Sequence, residues 1–138
     1  MSYYEIERAL DKAARAAIGQ FPISCQSNVI TDTAAIDHFW FKLTNLRAES
    51  NVATLGSKGE DNHPGVYQID VNLCKHHGEG PLLQKVDELV KLFPAGSSFT
   101  SNGQAVKLTR TSVSPTREVN GFLRVSLSLF YYSRSTRR

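Results

Sequence analysis

Little in this sequence is set aside for covalent or metal chemistry. Its 138 residues hold two cysteines, Cys25 and Cys74, lying 49 positions apart with no CxxC and no Cys/His pairing around them. A chain of this length builds a core without a staple, so both read as reduced packing thiols. Apolar runs fall far short of the ~20 residues that cross a bilayer, and the first residues form an acidic amphipathic segment instead of a basic region followed by a greasy one. The expectation is cytosolic synthesis with no membrane partner.

Catalytic signatures are equally sparse. There is no Gly-x-Ser-x-Gly elbow, and neither cysteine has a histidine or acid at a known local spacing. Gly78-Glu79-Gly80 follows a strand and opens a helix, where a phosphate loop would sit, but a dinucleotide fingerprint would want glycine at Leu83 and a P-loop would want Gly-Lys-Ser/Thr. These glycines are read as a turn, with Pro81 in the first helical turn, where its missing N–H costs nothing. His38, His63, His76 and His77 carry no acid or cysteine at metal-motif spacing, and adjacent histidines on an extended segment point apart. They are read as surface loop residues. Asp70, flanked by Gln68 and Asn72, is placed on the wet face of a strand. No catalytic residue, metal ligand or cofactor is assigned, and an enzyme is not expected.

What is present is pattern. With 41% hydrophobic and 21% charged residues, wholesale disorder is excluded. Tyr67, Ile69, Val71 and Leu73 alternate with Gln68, Asp70 and Asn72, the period of a half-buried strand. From Pro81 the period lengthens, and Leu82, Leu83, Val86, Leu89, Val90 and Phe93 share a helical face. Ser2-Tyr3-Tyr4-Glu5 has capping-box spacing and begins a helix with Ile6, Leu10, Ala13, Ala14, Ala17 and Ile18 on one side, an Asp11–Arg15 pair on another, and Gly19 and Pro22 as its stop. Its alanine-rich stripe lets it lie close to a sheet or to a neighbouring subunit.

Ile23 to Val29 reads as a short strand and His38 to Leu46 as another, with Phe39, Phe41 and Leu43 alternating. Asn102-Gly103 and Asn120-Gly121 signal tight turns. Around them lie short strands and a long one, Gly121 to Tyr132, with Leu123, Val125, Leu127, Leu129 and Tyr131 on one face. These elements predict an α+β fold: a largely antiparallel sheet of about five strands with two helices packed on one face, in a single domain spanning 1–138. A long polar loop or weak hairpin is expected over 47–64 and a basic tail over 133–138.

From Gly103 onward seven Lys/Arg stand against one acid, Glu118, so the first 102 residues carry −3 of a total +3. Such asymmetry suits DNA or an acidic protein. Trp40 and Phe130 fall on the outward side of their strands. Outward aromatics more often meet another helix or subunit than a base.

Taken in order, Gly65 to Val71, Gly80, the helix ending Glu88-Leu89-Val90-Lys91-Leu92-Phe93-Pro94-Ala95-Gly96, Val106-Lys107-Leu108, Ser112-Val113-Ser114-Pro115 and Gly121 to Leu129 resemble the tail terminator family of long-tailed bacteriophages, the minor tail protein U-like group. The resemblance implies a virion structural protein at the head-proximal end of the tail, assembled in the host bacterial cytoplasm. It would form a homo-hexameric ring that caps the tail tube protein, ends tube growth and receives the head-completion or connector protein, with DNA passing through the lumen.

On that reading Trp40, Phe130, Ala13 and Ala17 are candidate subunit-interface residues. Arg47, Glu49, Val52, Leu55, Lys58, Glu60 and Asp61 form a candidate tube-docking loop, and Arg124, Arg134, Arg137 and Arg138 a candidate basic surface. The alternative reading is a small nucleic-acid-binding α+β domain using its basic C-terminal third.

Overall fold

The computed structural model describes residues 3–24, 38–48, 51–52 and 59–136. Along them run α1 (Tyr3–Ile18), β1 (Ile23–Ser24), β2 (Trp40–Arg47), β3 (Asn51–Val52), β4 (Glu60–Cys74), a 3-10 turn (Lys75–His77), α2 (Glu79–Leu92), β5 (Ser98–Ser101), β6 (Gln104–Val113), β7 (Arg117–Val119) and β8 (Phe122–Thr136). The class is α+β as expected. The sheet is larger than expected and mixed: its order is β1-β2-β4-β8-β6-β5, with β3 added on β4 and β7 on β8, and β1 runs parallel to β2. Strands of two or three residues are too short to show alternation, which is why the extra ones left no hydrophobic signal.

β4 and β8 form the frame. Each has 15 residues, about 50 Å of extended chain, and they pair antiparallel throughout, from Glu60↔Thr136 to Cys74↔Phe122. Of the segment expected as a long loop or weak hairpin, Arg47 ends β2, Asn51 and Val52 pair antiparallel with Asn62 and Asp61, and 60–64 begin β4. One expectation is corrected: Ser133–Thr136 continue β8 instead of opening a solvated tail. The physical reason is that this end of the sheet fills its inner face with polar groups. Ser133 is fully buried, its hydroxyl donating to the Ala105 carbonyl and accepting from Gln104 Nε2. A strand buried through serine has no hydrophobic period to read.

The inner face of the sheet presents Phe41 and Leu43 from β2, Tyr67, Ile69, Val71 and Leu73 from β4, Val106 and Leu108 from β6, and Val125, Leu127, Leu129 and Tyr131 from β8. Against it α1 buries Ile6, Ala9, Leu10, Ala14 and Ile18, and α2 buries Leu82, Val86 and Leu89, with Phe93 closing the end. Each large side chain so covered contributes about 1.5–3 kcal/mol relative to exposure. The Asp11–Arg15 pair forms at 2.8 Å. Glu5 reaches the β5–β6 turn, accepting from Ser101 Oγ at 2.6 Å and Asn102 Nδ2 at 3.2 Å, and so ties α1 to the sheet edge. Ser2, its expected capping partner, lies outside the described residues.

Both Asn-Gly pairs make their turns with left-handed backbone, Asn102 and Gly103 at φ 47° and 80° and Asn120 and Gly121 at 51° and 84°. Positive φ at two successive positions is the geometry that matches the right-handed twist of a hairpin. Gly65 is required for a different reason. It stands opposite Tyr131 on β8, and a Cβ there would lie 2.5 Å from the Tyr131 oxygen. The phenol ring crosses the bare backbone to donate to Asn45 Oδ1 at 2.8 Å.

Candidate assembly surfaces

Residues directly opposite in antiparallel strands share a face, so the pairings define the outer surface of the sheet as rows. One row reads Trp40, Asn72, Arg124, Arg117; the next, Lys42, Asp70, Ser126; then Thr44, Gln68, Ser128, Ser112; then Leu46, Val66, Phe130, Arg110. Asp70 and Asn72 are not wet, contrary to expectation: they are 4% and 0% exposed. Burial is tolerated because each is hydrogen-bonded. Asp70 Oδ1 accepts from Ser126 Oγ at 2.6 Å and Gln68 Nε2 at 2.8 Å, and Ser126 Oγ accepts from Arg117 at 2.8 Å. Asn72 Nδ2 donates to the Trp40 and Asp70 carbonyls, while its Oδ1 accepts from Arg124 Nε at 2.6 Å.

Trp40 lies on the outward side, as its parity requires, yet it is only 7% exposed, edge-on to Phe122 and beneath the Arg124 guanidinium. This corrects its assignment as free interface material: it and Phe122 form a small outer core, each covering what the other would leave in water. Phe130 is half-buried, with the Arg110 guanidinium 3.9 Å above its ring. Arg124 is half-buried and Arg134 exposed, the latter 3.9 Å from Glu60. Within the expected docking loop, Arg47 ends β2, Val52 lies in β3, and Glu60 and Asp61 begin β4. Glu49, Leu55, Lys58, Arg137, Arg138 and Cys25 lie outside the described residues.

Ala13 and Ala17 take part in a second surface. An open groove of about 470 Å3 runs between α1 and β5, lined by Ala9, Ala13, Ala16 and Ala17 on one wall and by Leu92, Phe93 and Phe99 on the other. Leu92 stands 55% exposed beside it. The small side chains that expected a close neighbour are therefore not all covered by the sheet. Periodicity located them, but not which of them would remain open.

Histidine placement is mixed. His38 and His76 are exposed, but His63 is a buried residue of β4, edge-on to Tyr3, which corrects its reading as a surface loop residue. Burial lowers its imidazole pKa below the ordinary value of 6.5, with nearby Asp61 opposing. Burial also raises the Tyr67 phenol far above its ordinary range, and the Asp11 carboxylate that accepts its hydrogen bond at 3.3 Å adds to the rise. Tyr131 is raised by burial as well, with the Asn45 hydrogen bond opposing. Cys74 is a free thiol with Sγ 3.0 Å from His76 Nδ1. No cluster of three or more potential metal ligands occurs among the described residues, and no described helix is long and apolar enough to cross a membrane.

The fold and its surfaces define an α+β domain built on one mixed sheet, with helices on one side, a hydrogen-bonded polar face on the other and an open apolar groove along the first helix. The profile described as phage tail terminator protein matches residues 5–131. The chain belongs to the phage tail terminator family, a structural family whose members are components of the virion tail. Among known structures 13 chains match it. One of these is 25% identical, covers 96% of both chains and superimposes with a TM-score of 0.70. A search among curated proteins returns no match.

Proposed function

We propose that this protein ends tail-tube growth as a ring, most simply a homo-hexamer, and that the ring presents the surface on which the head-completion or connector protein seats. The observation that carries the reading is the family match across residues 5–131, which spans both helices and nearly all of the sheet. The function would then reside in shape and self-docking, with no reaction at its centre.

A closed ring needs a heterologous interface, two different patches that meet by rotation. The α1–β5 groove, with Ala13, Ala17 and exposed Leu92, supplies one patch of the right character, concave and apolar. Arg47, Val52, Glu60 and Asp61 lie toward the Glu60–Thr136 end of the long β4–β8 ladder and supply the candidate contact with the tube. The experiment is electron microscopy of tails assembled with and without this chain. Tubes of uncontrolled length that fail to join heads are expected in its absence. Tails of normal length and normal head attachment would overturn the proposal.

A further inference from the structure

We propose that the outer face of the sheet binds the phosphate backbone of duplex DNA, without regard to sequence. This goes beyond ring formation and stands on the arrangement of one face. Strand parity brings Lys42, Lys107, Arg110, Arg117, Arg124 and Arg134 onto it. These residues come from four strands and are scattered over 93 positions of sequence, so the C-terminal charge bias becomes a charged face only in the fold.

Its carboxylates are largely spoken for. Asp70 is buried under the hydrogen bonds of Ser126 and Gln68, and Glu60 stands 3.9 Å from Arg134. Among the described residues Lys42, Lys107 and Arg110 pair with no carboxylate. The helical side differs, with Glu5, Glu7, Asp11, Glu79, Asp87 and Glu88 interspersed among its cations.

Between the cationic ends, beside Gln68, lie Thr44, Ser128 and Ser112, short hydroxyl donors of the kind that contact phosphate oxygens. From Arg124 to Arg134 the face extends about 33 Å, close to the ~34 Å of one duplex turn. A single strand would call for free aromatic faces on which bases stack. Here Trp40 and Phe122 are buried, Phe130 is covered by Arg110, and half-buried Tyr132 has the Arg134 guanidinium 5.7 Å from its ring centre. Apart from the apolar row Leu46, Val66 and Phe130, the face therefore offers charge and hydroxyls, and no bare aromatic ring for bases.

The test is fluorescence anisotropy of the full chain with a labelled duplex of about 30 base pairs. Neutralising about four phosphates predicts a roughly 100-fold loss of affinity between about 50 and 200 mM salt. The Lys42→Gln/Lys107→Gln/Arg110→Gln variant should bind more weakly and lose about one unit of salt slope per cation removed. The Arg8→Gln/Lys12→Gln/Lys91→Gln variant, equal in charge but altered on the helical side, should retain most of both. Circular dichroism confirms that each variant is folded, and the Lys42→Gln/Lys107→Gln pair, which leaves the Arg110–Phe130 stack intact, serves if the triple is not. Equal losses in the two triples would reduce the effect to net charge and overturn the assignment. So would absence of duplex binding at low salt, tighter binding of single strands, or equally tight binding of poly-glutamate.

Discussion

Replacing Gly65 by alanine should destabilise the protein by about 2–3 kcal/mol, although the change adds a single methyl group. The new carbon would fall 2.5 Å from the Tyr131 oxygen, 2.6 Å from Cζ and 2.9 Å from Cε1. The tip of a side chain can usually swing away, but Tyr131 is 3% exposed and its hydroxyl is engaged by Asn45 at 2.8 Å. Forcing a methyl into a packed site costs about 1–3 kcal/mol, and losing the Tyr131–Asn45 hydrogen bond costs about 1 kcal/mol more. Alanine recovers about 0.5–1 kcal/mol by restricting the unfolded chain. For a chain of this size the net loss lowers Tm by roughly 6–10 °C.

Thermal and urea unfolding of Gly65→Ala, Tyr131→Val and the double variant form the cycle that isolates the contact. Removing the ring should make the methyl nearly harmless, with a coupling of more than about 1 kcal/mol between the sites. Alanine tolerated within about 0.5 kcal/mol, or strictly additive effects, would refute the account of why this position is glycine.

Deleting 133–138 should cost at least about 2 kcal/mol, since it removes buried Ser133 and part of the β4 ladder, whereas deleting Arg137 and Arg138 alone should be near neutral; equal melting temperatures for the two truncations would contradict this. Trp40→Glu should unfold or severely destabilise the chain, by about 4 kcal/mol or more. Phe130→Glu, at a half-buried ring already facing a guanidinium, should cost less than about 1.5 kcal/mol, and a reversed order of urea midpoints would show that the outer core is misidentified. Stability should also depend on pH at both ends. Because burial lowers the folded-state pKa of His63, its contribution is full above 6.5 and falls away on acidification below that value. Because burial and Asp11 raise that of Tyr67, its contribution is full below 10.0 and lost as pH climbs past it. His63→Gln should flatten the acid limb of a urea-midpoint profile and Tyr67→Phe the alkaline limb, and an unchanged profile in either variant would remove that residue from the explanation.

Much of the fold was legible because its signals are short-range. Alternation along Tyr67 to Leu73, most of the helical stripe from Leu82 to Phe93, the Asp11–Arg15 spacing and the two Asn-Gly turns depend on neighbours a few residues away and appear in the structure, although Leu83 of the stripe is exposed and Asp70 and Asn72 of the strand are buried. The family followed from the order of these packing patterns, since its motifs are themselves patterns of packing. The candidate surfaces were less legible. Parity assigned Trp40 to the outer side, but nothing near it in sequence said that Phe122 and Arg124 would cover it. His63 and Ser133 read as polar loop and tail because they are polar, and are buried because a paired strand lies across from them.

The residues by themselves determined the two helices and the apolar stretches of the long strands, where the tightest turns fall and most of the apolar side chains that form the core, because backbone preference and hydrophobic period are written locally. Only the tertiary structure decided which polar groups lose water, why Gly65 must lack a side chain, and that cations from four strands gather on one face. Those outcomes depend on which distant residue lies opposite, and strand pairing settles that across the whole length of the chain.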